Sequence, residues 1–398
     1  MTPLTYDVVV IGGGMAGFTS ALYLTGQGYK VAIISKGDPV CCLSTGCIDV
    51  LSSDKNPLDG IPGLSRDHPY HLVGKKGITD ALNFFKRIMQ DTPIPYSGTP
   101  RKNRTILTPI GTAKTTCLVP MTMAGSETES DTYIHVISFK GLKDFFPSYI
   151  TSGRRNIRFS LYDAGTSSTI GIATLFEDKS FRREFISWIQ NLELPHGKVA
   201  FPAVLGIRNP LKILTEISDQ IGREIFEIPT LPPSIPGLRL FRTLKSSFIK
   251  SGGDNYWGKV IASVESQGDQ IEAVTLKSPG RPSRVPGKAF ILSTGSFVSG
   301  GLYATRNTVK ETVFDLPVFV PGTRKDWFKE DFFQAGHAIE TAGIKVDSSF
   351  RPVNTRFGNL FVSGSILSHA EIMKNHCGHG LAIATGFRAA KICEEFLS

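Results

Sequence analysis

Apolar positions are most densely patterned at the start of the chain. Tyr6-Asp-Val-Val-Val-Ile11 is a short continuous apolar run of the kind shown by a strand buried on both faces, and Lys30-Val-Ala-Ile-Ile34 is a second. Between them residues 18–26 keep helical spacing, and Gly12-Gly-Gly-Met-Ala-Gly17 joins the first strand to that helix without a gap. Residues 54–76 are rich in Pro, Gly, Asp and Lys and read as an exit from the first domain. Helical spacing returns over 78–90, and 104–107 with 115–119 predict a hairpin. After a polar loop at 124–131 the periods alternate, with strands at 133–139, 157–162 and 198–205 and helices at 142–151, 178–192 and 210–222. That alternation predicts a second α/β unit. Beyond a proline-dense crossing at 229–236 come a helix at 237–250, a small meander at 259–266 and 270–277, and a buried strand at 288–296. Residues 359–365 predict a last strand and 381–396 a last helix.

Strand, glycine-rich turn, helix and strand together form the context in which G-x-G-x-x-G holds a dinucleotide. Gly12 allows the tight turn, Gly14 lets the backbone approach a pyrophosphate, and Gly17 lets the helix pack closely on the strand. Ala16 lies in the first helical turn, whose free N–H groups face the phosphates. The acidic residue that would hold the adenosine ribose belongs about 20 residues further on, and Ser35, followed by Lys36, stands there instead. The expected fold class is α/β, an FAD/NAD(P)-binding Rossmann-type domain with an inserted second α/β domain. Its parts are residues 1–76, the insert 77–236, and 237–398.

Composition narrows the class. The chain has 398 residues, 41% hydrophobic and 20% charged, as an ordinary soluble globular protein of two domains would. Its longest apolar runs are strand-sized and the first of them enters the glycine motif directly, so neither a membrane span nor a signal peptide is expected. The net charge of +9 implies affinity for anions. The basic groups Arg101/Lys102/Arg104, Arg154/Arg155/Arg158 and Arg281/Arg284/Lys288 form no aromatic-interleaved stripe, which argues against nucleic acid. Cys41, Cys42, Cys47, Cys117, Cys377 and Cys393 lack paired metal spacing and read as reduced cytoplasmic thiols. There is no G-x-S-x-G elbow, P-loop or H-E-x-x-H, so hydrolase and NTPase mechanisms have no carrier.

Further stretches bear on a cofactor. Ser44, Thr45 and Gly46, in a small and hydroxylated loop, suit hydrogen bonding to a ligand, or are simply turn-formers. Thr294 and Gly295 end the strand after the meander, a pattern that resembles the dinucleotide domains of flavoproteins. Gly364 and Ser365 end the last strand, where two-part flavoproteins carry Gly-Asp for the ribityl chain. Gly378, His379, Gly380 and Leu381 begin the last helix, whose N–H groups would stabilise negative charge on a reduced flavin. His369, His376, Cys377 and His379 match no regular zinc spacing, so no metal is expected. Ser35-Lys36 also leaves open a site for the 2′-phosphate of NADP.

Gly12–Gly17, Leu43-Ser-Thr-Gly-Cys-Ile-Asp-Val-Leu-Ser52, Leu231-Pro-Pro-Ser-Ile-Pro-Gly-Leu-Arg-Leu240 and Ser293-Thr-Gly-Ser-Phe-Val-Ser-Gly-Gly-Leu302 together resemble one family, the B subunit of the anaerobic glycerol-3-phosphate dehydrogenase. The resemblance implies a flavoprotein using FMN, with FAD possible, that works beside an FAD-containing catalytic subunit and a membrane-associated iron–sulfur subunit passing electrons to quinone. It places the chain in the cytoplasm, peripheral to the inner face of the membrane through its partner. It implies hydride loss from C2 of sn-glycerol 3-phosphate to the flavin, giving dihydroxyacetone phosphate. His379, Arg239 and Arg306, in or near the shared blocks, are the candidates for proton transfer and for clamping the small phosphorylated substrate. An electron-relay or interaction subunit, or a stand-alone flavin oxidoreductase acting on another anion, are the alternatives. Cys377-Gly-His-Gly380 departs from the family's Cys-Gly-Gly-Gly.

Overall fold

The computed structural model describes residues 5–52, 55–127, 132–278 and 283–398, which divide into two compact units. Arg281 and positions 128–131 of the expected polar loop lie outside the described residues. The first unit comprises Met1–Val40, Asp49–Phe85 and Leu244–Ser398, and the second Cys41–Ile48 and Lys86–Thr243. The sequence placed the divisions at 76 and 236; the structure places them inside the helices Tyr70–Gln90 and Ile235–Lys250.

The first unit is built on a seven-stranded sheet. Tyr6–Ile11 is its centre, flanked in parallel by Val31–Ser35 and by Ser283–Leu292, with Val8 opposite both Val31 and Ala289. Every residue of Val31–Ser35 is buried, which is why the run is continuously apolar rather than alternating. Asp254–Trp257 extends the sheet beyond Val31–Ser35, and Leu360–Val362 pairs in parallel with the end of Ser283–Leu292. The start of that long strand pairs antiparallel with Gln270–Leu276, which in turn pairs with Ile261–Gln267, the expected meander. Helix Met15–Gly26 is buried from Met15 through Leu24, because the last helix, Gly378–Leu397, packs across it. The crossing is close: Ser20 Oγ donates to Gly386 O at 2.8 Å, and a Cβ on Gly386 would lie 2.5 Å from Ala16 O.

The second unit holds a parallel sheet in the order Ile225–Ile228, Lys198–Pro202, Ile134–Phe139, Ile157–Tyr162. Its helices Lys179–Gln190 and Pro210–Ile221 bury Phe185, Ile189, Ile213 and Ile217 into an aromatic core with Phe139, Phe176 and Phe201. The alternation read from the sequence is therefore an inserted α/β unit. The expected hairpin forms between Arg104–Leu107 and Ala113–Thr116 rather than 115–119, and Leu118–Pro120 pairs instead with Tyr96–Gly98.

Candidate functional site

The parallel strands of the first unit end on one edge of the sheet, and open α/β sheets bind ligands outside such carboxyl ends. Gly12 has φ +116°, and a Cβ there would sit 2.2 Å from Ser293 O. A Cβ on Gly17 would be 1.9 Å from Gly12 O, so this glycine makes the close helix–strand approach possible. Gly14 differs, since a Cβ there would meet nothing within 4 Å. Its backbone faces open space. The first hydrogen bond of the helix is Phe18 N–H to Gly14 O, 2.9 Å, so the N–H groups of Met15, Ala16 and Gly17 precede the ladder. No side chain caps them and no acidic residue occupies the first turn. That is an anion cradle, fitted to a phosphate.

The neighbouring strand ends complete this edge. Thr294 Oγ1 is buried and makes no hydrogen bond to any described residue. Gly295, at φ +76°, lies between Ser299 and Ser365, and a Cβ there would stand 2.5 Å from Ser299 Oγ and 3.3 Å from Ser365 Oγ. Ser293 and Ser363 share a hydroxyl hydrogen bond of 2.8 Å. Gly364 accommodates the helix, its N–H donating to Thr385 Oγ1 and its Cα facing Ala16. Gly12, Gly14, Ala16, Gly17, Thr294, Gly295, Gly364 and Ser365 are thus brought together. An orphaned hydroxyl beside an uncapped helix start and an open glycine fits a phosphorylated cofactor such as a flavin nucleotide.

The ribose end is occupied differently. Ser35 Oγ turns back to Gly37 O at 2.8 Å, and Lys36 is exposed. Trp257 pairs in register with Ser35, and its indole lies against Gly13, where a Cβ would come within 2.3 Å of the ring. The ring stacks on Phe18 at 6.1 Å, donates from Nε1 to Asp38 at 3.2 Å, and carries Lys245 Nζ over its face at 4.4 Å. Nothing in the hydrophobic pattern marks Trp257; only its place at the end of an edge strand gives it this role.

The last helix corrects two expected contacts. Gly380 N–H donates to Asp49 O at 3.0 Å, and a Cβ on Gly380 would lie 2.4 Å from that oxygen and 2.9 Å from Tyr70 Oη. Gly380 is therefore a packing position whose donor is already used. Leu381 is fully buried and its N–H bonds to Cys377 O. Gly378 and half-exposed His379 begin the helix without a side-chain cap. His369 packs at a tilt against Phe319, 4.5 Å between centroids, its Nε2 is 3.8 Å from Asp67, and burial lowers its pKa. Cys377 is buried, which raises its thiol pKa. Among the described residues no three His, Cys, Asp or Glu side chains gather as a metal site.

Ser44, Thr45 and Gly46 belong to the second unit. Ser44 Oγ donates to Cys41 O at 2.7 Å and accepts from Gly46 N–H at 3.2 Å. Thr45 Oγ1 accepts from Cys47 N–H, and Gly46 O accepts from Tyr96 Oη at 2.6 Å. These hydroxyls brace their own loop.

Two candidate cations need correction. Arg239 is buried at 2% exposure, and its guanidinium bonds both oxygens of fully buried Glu227 at 2.6 and 2.9 Å. Its Nε donates to Gly206 O at 2.8 Å, and Leu205 N–H also bonds Glu227. It is a framework ion pair, whose partner would be left as an unpaired buried charge if the arginine moved to a ligand. Arg306 stands exposed at the tip of the hairpin Leu302–Ala304 and Val309–Glu311. Other basic residues are also framework: Arg104 pairs with Glu127, Arg154 with the carbonyls of Ile150 and Gly111, and Arg284 with Glu265.

Comparison with known proteins gives a match to the family described as FAD binding domain over residues 7–151 and 161–381. A protein of Aliivibrio fischeri, named as the B subunit of anaerobic glycerol-3-phosphate dehydrogenase, is 29% identical, over 99% of this chain and 96% of its own. One of Halobacterium salinarum, named as the probable B subunit of the same enzyme, is 29% identical over 98% of both chains. Among solved structures, a 3-ketosteroid Δ1-dehydrogenase from Sterolibacterium denitrificans has a TM-score of 0.46 at 11% identity, covering 98% of this chain and all of that one. A quinol fumarate reductase of E. coli has a TM-score of 0.48 at 9% identity, covering 99% of this chain and 70% of that one.

Proposed function

We propose a function from one premise: the chain belongs to the FAD binding domain family. It is a flavin-binding oxidoreductase, and on our reading it serves as one subunit of an anaerobic glycerol-3-phosphate dehydrogenase. That enzyme would oxidise sn-glycerol 3-phosphate to dihydroxyacetone phosphate and send the electrons to quinone. The observation that carries this reading is similarity to proteins of that name along nearly the whole length of both chains. An FAD-containing catalytic subunit and a membrane-associated iron–sulfur subunit would be its partners. Among the described residues no helix is long and apolar enough to cross a membrane, so attachment would come through a partner.

Within the chain, the N–H groups of Met15, Ala16 and Gly17 would hold the cofactor phosphate, with Thr294 Oγ1 and Ser365 Oγ as further hydrogen-bonding groups. The bound flavin would supply a redox group that accepts and passes on electrons. FMN is the favoured form. The phosphate cradle is intact, whereas Ser35 offers no carboxylate for an adenosine ribose and Trp257 lies against Gly13 beside it. The same indole argues against NADP.

A relay role is favoured over direct catalysis by a specific observation. Arg239 is committed to Glu227 and Gly206, which removes one of the cations expected to clamp the substrate phosphate. Mass spectrometry of the heat-released cofactor, followed by anaerobic titration with sn-glycerol 3-phosphate, tests both points. FMN that bleaches only when the FAD-containing subunit is added is the expected result. Bleaching of the chain alone would establish direct catalysis, and a chain that takes up neither FMN nor FAD would overturn the flavin reading.

A further inference from the structure

Apart from the cradle, the first unit holds a cavity of about 390 Å³, a volume typical of small-molecule sites. It is lined by Leu51, Ser52, Asp59, Leu64, Lys374, Asn375 and two glycines, none of them a cradle residue. Asn375 brings an unanswered group: its Nδ2 is buried and bonds to no described residue. A buried amide donor without a partner is costly, and a ligand is one way to supply the partner. The short turn that carries Lys374 and Asn375, Ile372–Asn375, is also strained at both ends. Glu371 before it has φ +39° and His376 after it +48°, left-handed backbone that residues with a Cβ seldom adopt. Hydrogen bonds hold the segment there, since the Glu371 carboxylate takes Lys374 Nζ at 2.6 Å and Ser65 Oγ at 3.1 Å. Backbone strain of this kind gathers at ligand clamps.

The charges at this cavity already have partners. Besides Glu371, Lys374 meets Glu340, whose carboxylate accepts its N–H at 3.2 Å. Asp59 takes Lys75 at 3.6 Å and Asn56 Nδ2 at 3.0 Å. With Lys329 Nζ near Gly336 beside the Lys374 stem, three ammonium groups face three carboxylates. Lys55, Arg66, Asp67, Lys76 and His376, their neighbours in sequence, are exposed and screened by solvent. We propose that the cavity binds a small uncharged molecule bearing several hydroxyl groups, up to the size of a six-carbon polyol. A hydroxyl both donates and accepts. That suits a lining of two donors, Lys374 and Asn375, one acceptor, Asp59, and the Ser52 hydroxyl, which does either. Leu51 and Leu64 would cover the carbon skeleton. An anion would have to take Lys374 from buried Glu371 and leave that carboxylate unpaired. A cation would gain little beyond what the exposed pair of Asp59 and Lys75 already has. A site of this kind stands whether or not the chain belongs to a larger enzyme.

The test is saturation-transfer NMR of the full chain with glycerol, D-mannitol and D-glucose. The hydroxyl-poor 1,6-hexanediol and the anion sn-glycerol 3-phosphate are the controls. At least one polyol should bind saturably with a Kd of about 10 mM or tighter, and both controls more weakly. Asn375→Leu should weaken that polyol at least about tenfold while its thermal midpoint stays at or above wild type, since the lost amide donor has no partner among the described residues. Ser52→Ala, a smaller change, should weaken it about threefold, and decides the matter if the first variant fails to fold. Absence of polyol binding overturns the proposal. So does either control binding as tightly as the polyols, which would make the cavity an apolar or an anion site. Unchanged affinity in the folded variants overturns it too, by placing the polyol elsewhere.

Discussion

A methyl group added at Gly14 meets open space, whereas the same methyl at Gly380 would lie 2.4 Å from a backbone oxygen. In the sequence both glycines begin helices and both read as cofactor contacts. The expected outcomes of substitution therefore separate. Gly14→Ala should cost about 1 kcal/mol or less in stability, since only the helix start changes, but weaken flavin binding at least tenfold, roughly 1.4 kcal/mol. Gly380→Ala should cost about 2–3 kcal/mol in a urea titration, because the 49–50 segment must move. If both variants lost flavin equally with unchanged stability, Gly380 would belong to the site after all. The difference was unreadable beforehand for a physical reason. Gly12 to Gly17 obey a rule contained within six positions, while the reason for Gly380 is Asp49, and that for Arg239, on a helix, is Glu227 on the strand Ile225–Ile228.

At the scale of elements, long periodic segments were legible and short polar ones were not. Asp254–Trp257 has neither alternation nor an apolar run, because it is an edge strand whose residues are exposed or half-buried. It exists through pairing with Val31–Ser35, and that pairing delivers Trp257 to the glycine turn. The absence of an acid at Ser35 was visible in the sequence; the indole beside it was not. Trp257→Ala should therefore shift the cofactor preference toward FAD by about tenfold, or roughly 1.4 kcal/mol. Reconstituting the folded apo variant in equimolar FMN and FAD and weighing the bound fraction by mass spectrometry measures it. An unchanged ratio would mean that the indole does not guard the ribose end.

For the whole molecule, the inserted α/β unit was legible because its strands and helices alternate within one continuous stretch. The points where the chain changes unit were not, since Tyr70–Gln90 and Ile235–Lys250 continue through them as helices. Global stability has a titrating component in His68, which is fully buried and accepts the Tyr70 N–H at 3.2 Å. Burial lowers its pKa from 6.5 to about 4. The unfolded chain then takes up a proton first as pH falls, so this stabilisation is present above about pH 6.5 and is lost progressively toward pH 4. Up to about 3 kcal/mol is involved, most of it gone by about pH 4.5. Urea titrations at neutral pH and near pH 4.5 should show His68→Gln losing less stability on acidification than wild type by about that amount; parallel losses would exclude the histidine. The central pairing of Val8 with Ala289 has a consequence in time. A ribosome adding about 5–20 residues each second leaves Tyr6–Ile11 without its second neighbour for roughly a quarter of a minute to a minute. Through that interval a largely apolar strand waits as a nascent, sticky segment, and the fold's oldest residues are among the last to find their place.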